Sequence, residues 1–175
     1  MSTIAIPFKF TTYGTATGGL QVGRIVTDAS TGYRYMFCQA HTDWSGDVGA
    51  IGQIACQVSA TQLGVVTNKA SVGLDTTYPQ GRGIIWSAVP ESTASTTYYF
   101  WTLWFGYTGT LLNDGTDQTA GDNLYVVAAD PASAGRLAGT ATNTDDGVGH
   151  DVFGRAATTV TGTNSTAWVN FDPCM

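Results

Sequence analysis

The chain has a single glutamate, Glu91, and only seven lysines and arginines in 175 residues, so charge of either sign is scarce. Nucleic acid is excluded as a partner, because phosphate contacts need clustered Lys and Arg, whereas here the cations are scattered and the net charge is −6. With one glutamate, the HExxH zinc site is excluded as well. No apolar run approaches the roughly 18–20 residues that a membrane span needs, and no basic stretch precedes an apolar one at the amino terminus. The expectation is therefore a protein made in the cytoplasm and soluble there, with no membrane partner. Three cysteines, Cys38, Cys56 and Cys174, are an odd number without CxxC spacing, which fits neither a disulfide framework nor a zinc site. They are expected to be small buried hydrophobes plus a near-terminal thiol.

Groups that carry chemistry are equally sparse. The two histidines lie beside carboxylates, His41 near Asp43 and His150 next to Asp151, and either pair has the form of a base with its orienting acid. Turns collect both residue types, however, and no G-x-S-x-G nucleophile elbow accompanies them. Asp114, Asp117 and Asp122 bring three carboxylates into nine residues, but their spacing fails the calcium-loop template, and Asp114-Gly115 is a hairpin turn signal in its own right. Asp145, Asp146 and Asp151 form a similar acidic loop. Gly81-Arg82-Gly83 lacks the third glycine of a dinucleotide site. The expectation is no enzyme, no metal and no cofactor.

What the chain does have is Thr, Val, Tyr, Trp and Gly, residues that suit a pleated surface and make indifferent helices. About ten short apolar stretches, separated by turn signals at roughly 8–12-residue intervals, predict an all-β fold, a single β-barrel or β-sandwich domain. Strands are expected at 20–27, 33–40, 50–58, 62–67, 82–89, 98–107 running on to 108–112, 123–128, 136–142, 152–160 and 166–171, the first two forming a hairpin across Asp28–Gly32. Residues 1–19 stand apart. Ile4, Ile6, Phe8 and Phe10 share one face of an extended stretch that Pro7 keeps out of any sheet centre, and GTATGG at 14–19 follows as a hinge. The division is thus an arm with its hinge at 1–19 and a β domain at 20–175.

Residues 98–107, YYFWTLWFGY, place seven aromatics in ten positions. In a strand, Tyr98, Phe100, Thr102 and Trp104 share one face with Gly106; Tyr99, Trp101, Leu103, Phe105 and Tyr107 share the other. Both faces are apolar, so both must be covered, by the domain's own core and arm or by a neighbouring subunit. Tyr and Trp, which suit partly wet borders, favour the subunit seam. The candidate interface set is Ile4, Ile6, Phe8, Phe10, Tyr99, Trp101, Trp104, Phe105 and Tyr107.

The run YYFWTLWFGYTGTLLNDGTDQTAGDNLYVV resembles the decoration or cement proteins of tailed-phage capsids. Its elements are the Gln62–Thr67 strand, the strand from Trp101 to Gly106, the Asp114-Gly115 turn, Ala120-Gly121-Asp122 before an apolar strand, Phe153–Ala156, and a closing strand from Ala167 to Phe171. The resemblance covers roughly residues 50–171 and departs from the pattern in its heavy aromatic content and its amino-terminal region. It implies a non-enzymatic virion protein on the capsid exterior, bound to the major capsid protein and to copies of itself, as trimers, and stiffening the shell. The alternatives are another part of the same particle, a tail, fibre or shell component, or a carbohydrate-binding β-sandwich using Trp44, Trp86 and Trp168 as stacking platforms.

Overall fold

A computed structural model describes residues 9–44, 51–68, 81–93, 95–112, 119–126, 137–139, 154–159 and 164–170. These residues contain eleven strands and no helix. The strands are β1 (Tyr13–Gly14), β2 (Ile25–Thr27), β3 (Arg34–Ala40), β4 (Ile54–Gln57), β5 (Val65–Thr67), β6 (Gly81–Ile85), β7 (Tyr99–Leu112), β8 (Asn123–Val126), β9 (Leu137–Gly139), β10 (Gly154–Ala156) and β11 (Asn164–Asn170). Every strand expected from the sequence has a counterpart, and β1 is an addition.

Five of them close a ring. β3 pairs with β5, β5 with β4, β4 with β6, β6 with β7, and β7 returns to β3, which makes a barrel rather than a sandwich. All of these pairings are antiparallel except β3–β5, which is parallel. β7 is 14 residues long and outruns the barrel, and its far half pairs with β11 from Phe105 to Leu112. β10, β8 and β9 follow β11 in order, forming a wing on the barrel.

The register of β7 fixes what lies along each edge. Tyr99 and Phe100 face Gln39 and Cys38 of β3 on one side, and Gly14 and Tyr13 of β1 on the other. Phe105 faces Arg34 of β3 and Asn170 of β11. The edge away from β3 therefore carries β1, then β6 at Thr102 and Leu103, then β11 in succession.

Two glycines explain why the strands around β3 are shorter than their apolar runs. On the edge away from β7, β3 is shared by β2, which pairs with residues 34–36, and β5, which pairs with Gln39 and Ala40. Between them Gly23 donates its N–H to the Phe37 carbonyl at 2.7 Å, and the Gly64 carbonyl accepts from the Gln39 N–H at 2.8 Å. Gly23 and Gly64 both have left-handed φ, +86° and +89°, and a Cβ on Gly64 would stand 2.4 Å from the Gly23 nitrogen. Only glycine lets the two backbones touch there. The turn before β3 is held by Asp28, whose carboxylate accepts from the Ser30 N–H and the Ser30 and Thr31 hydroxyls at 2.8–3.0 Å. These bonds, the Ser30 N–H foremost, hold its pKa below the ordinary carboxylate value.

The wall is packed on both faces. Tyr35, Phe37, Ile54, Cys56, Ile84, Trp101 and Leu103 form one cluster with Leu20, Leu124 and Ala156. The alternate residues Met36, Cys38, Ala40, Ala55, Val66, Ile85, Phe100 and Trp104 form the other with Trp44 and Val89. Successive residues of β3 and β7 thus enter opposite clusters, as the period of two requires.

Candidate interaction surface

The candidate interface residues separate into distinct environments. Trp101 is completely buried, 4.9 Å from the Phe37 ring and 5.2 Å edge-on to Phe10, and its indole N–H has no hydrogen-bond partner among the described residues. Trp104 is buried in the opposite cluster, with the Arg82 guanidinium 6.0 Å from its ring centre and the Arg82 Nε–H donating to Gln57 Oε1. Tyr99 is half-buried and stacks on Phe37 at 6.0 Å. Phe105 is half-buried under the Arg34 guanidinium at 5.4 Å. Tyr107 pairs through its backbone with Trp168 of β11. Among the side chains of the aromatic run that are described, then, Tyr98, Tyr99 and Phe105 keep partial access to solvent, while Trp101 and Trp104 are taken up by the chain's own packing.

Of the four apolar residues on the arm's expected face, Phe10 is described; Ile4, Ile6 and Phe8 lie outside the described residues. Its ring stacks flat on Tyr35, centroids 4.0 Å apart and planes within 9°. Tyr35 is held in turn by Trp86, edge-on at 5.8 Å. Burial is the main reason why the Tyr35 hydroxyl is pushed up to about 12, with the nearby Asp28 charge second. Beyond Phe10, the Thr12 N–H and hydroxyl both bond to the Lys9 carbonyl at 3.0 Å, and Tyr13 meets Tyr98 edge-on at 5.6 Å. The arm's root is thus a folded part of the barrel surface.

Sequence reasoning missed the side chains that are most outward. Among the described residues, Tyr13, Ile25, Ile51 and Leu63 are the large exposed hydrophobics, Leu63 at 47 % and Tyr13 at 43 %. Ile25 and Leu63 flank the Gly23–Gly64 contact on the two chain segments that meet there. For Ile25 and Leu63 the visible signal was the pair of glycines, Gly23 two residues before the one and Gly64 directly after the other.

The residues screened for chemistry have structural roles where they are described. His41 Nδ1 lies 3.0 Å from Asp43 Oδ2, and the pair closes the turn in which the Trp44 N–H bonds the His41 carbonyl. Trp44 itself is fully buried and donates its indole N–H to the Val89 carbonyl at 3.2 Å, which removes it as a stacking platform. Burial pushes the Cys38 and Cys56 thiols up to about 12, so both stay protonated and poorly nucleophilic at neutral pH. Asp122 accepts from the Thr119 N–H at 2.8 Å, a turn bond before β8. Among the described residues no three of His, Cys, Asp and Glu gather as metal ligands. Asp114, Asp117, Asp145, Asp146, His150, Asp151 and Cys174 lie outside the described residues.

No family model, curated protein or solved structure matches this chain. What it does is therefore read from its own residues. They offer a doubly packed barrel, an amino-terminal segment fastened to it at Phe10, and a wing that extends the sheet.

Proposed function

We propose that the chain is a non-enzymatic virion protein that binds the outer surface of a tailed-phage capsid, on the major capsid protein, and stabilises the shell through contacts between subunits. The turn-and-strand pattern from Gln62 to Phe171 supports this reading, as does the low charge. The observation that carries it is the seating of Phe10 on Tyr35 and Trp101. An arm rooted in a stiff wall leaves the body at a fixed point, so the segment carrying Ile4, Ile6 and Phe8 loses less freedom when bound in extended form than a free tail would. Added as a strand to an exposed sheet edge of the shell, the arm gains main-chain hydrogen bonds while its alternate apolar side chains enter pockets. Many such arms on one shell tie neighbouring subunits together, and the ties reinforce one another by multivalency.

The test is co-sedimentation of the purified chain with expanded, DNA-free shells of the phage that encodes it. Deleting residues 2–8 leaves Phe10 and β1 in place, so the fold should survive, as read by far-UV circular dichroism, while shell binding is lost. Undiminished binding by the truncated chain would remove the arm from the account, and failure of the intact chain to bind would remove the capsid reading itself.

A further inference from the structure

We infer that the segment Lys9–Gly14 is an exchangeable strap: two copies of this chain can each seat the other's segment in the slot on β7, forming a reciprocal dimer. The slot is the stretch of β7 edge at Tyr99 and Phe100, just before the edge is taken over by β6. Its contacts come from the body: Tyr35 and Trp101 receive Phe10, Tyr98 receives Tyr13, and the β7 backbone receives β1. The strap's own local bonds, from Thr12 to the Lys9 carbonyl, travel with it. A strap arriving from a second copy therefore makes the same contacts as the chain's own.

What decides between the two is the connection. Residues 15–19 turn back through Gly18 and Gly19, at φ +59° and +85°, with the Leu20 N–H bonded to the Thr17 carbonyl at 3.0 Å and the Gly19 N–H to the Thr17 hydroxyl at 3.3 Å. Thr15, Thr17 and their neighbours are exposed or half-exposed, and a Cβ on Gly19 would meet nothing within 4 Å. The turn is held by left-handed glycine backbone and two local bonds, and its residues 15–19 are exposed or half-exposed up to the buried Leu20. Opened to an extended chain, it reaches outward to a neighbour. Hinge geometry of this kind is how identical elements pass between protomers. This inference does not depend on capsid binding, and its test contains no shell.

The experiment pairs a hinge variant with a cross-link. Gly18→Val with Gly19→Val strains the left-handed turn without a clash at position 19, and should shift the mass in size-exclusion chromatography with light scattering from monomer to dimer. Gly14→Cys with Tyr99→Cys places thiols on directly paired residues of β1 and β7, within disulfide reach, in a Cys174→Ser background. Cys38 and Cys56 are buried, so they stay out of the exchange. With the native hinge, refolding in dilute reducing solution followed by oxidation of the folded chain should give an intrachain link. Refolding at about millimolar concentration, where a second copy competes with a short tether, should give linked dimers on non-reducing gels. The native-hinge arm reads the outcome even where the valine variant does not fold. Intrachain links alone at every concentration, or a dimer whose links are all intrachain, would overturn the inference.

Discussion

The barrel and the wing share β7, yet they bury it differently. In the barrel, β4 is buried at all four positions and β3 at five of seven, because each face of the wall meets its own apolar cluster. In the wing, β10 runs buried, exposed, buried, with Gly154 and Ala156 inward and Arg155 in solvent. Leu124 and Ala156 join the same cluster as Trp101 and Leu103, so the wing is fastened to the barrel by one face. Closing a ring and covering its outside makes a strand apolar on both faces; leaning a sheet against that ring restores alternation. Phe100 to Trp104, the middle of the aromatic run, is the part of β7 buried on both faces.

Substitutions at matched positions measure this contrast. The largest loss is expected for Trp101→Ala, which empties a site enclosed by Phe10, Phe37 and the rest of the cluster, at about 3–5 kcal/mol in urea unfolding. Trp101→Phe should cost much less, since it keeps an aromatic ring and removes a buried N–H that has no partner among the described residues. Leu124→Ala comes next, about 2–5 kcal/mol by the same rule and nearer the lower bound if the wing edge can collapse into the gap. Hydrogen exchange should then speed up in β8 and β10 before it does in β3; uniform acceleration would mean that the wing and barrel open as one unit.

The barrel also holds groups that must stay neutral. Cys38 and Cys56 rise from 9.0, and Tyr35 from 10.0, each to about 12, chiefly through burial. Each is ionised in the unfolded chain at a pH where the fold still keeps it protonated. Their contribution is therefore complete below about pH 9 and is lost as pH rises from there toward 12. The urea midpoint should fall between pH 8 and pH 11, and Cys38→Ala with Cys56→Ala should flatten that fall while lowering the midpoint at neutral pH. The smallest effect is expected in the wing at Arg155→Ser, exposed between two inward residues, within about 0.5 kcal/mol.

How much of this was legible in the chain depends on the kind of information. Period-two patterning located the strands, and the apolar faces of 98–107 foretold that β7 would be packed twice. It did not show who packs it. Trp101 and Trp104, which suit an interface by residue type, are enclosed by Phe37, Phe10 and Arg82 of the same chain, because the ring closes through a β3–β7 pairing between segments some 60 residues apart, a long-range event that no local pattern records. The strands expected at 20–27 and 62–67 begin later, at Ile25 and Val65, because Gly23 and Gly64 turn left-handed where their backbones meet. Gly-x-apolar text reads as strand until the crossing partner is known. β1 is two residues long and exists only because β7 offers an open edge there. The expected run-on from 98–107 into 108–112 is there as one strand: β7 continues because β11 pairs along its far half.

The central proposal, a protein of the capsid exterior, is tested most directly by counting copies in purified particles with quantitative mass spectrometry against the major capsid protein. A decoration protein should be present in a fixed, large ratio set by the shell's symmetry, and should be lost from the particle together with shell stability when residues 2–8 are deleted. Absence from the particle, or a handful of copies as a tail or fibre part would show, would contradict it.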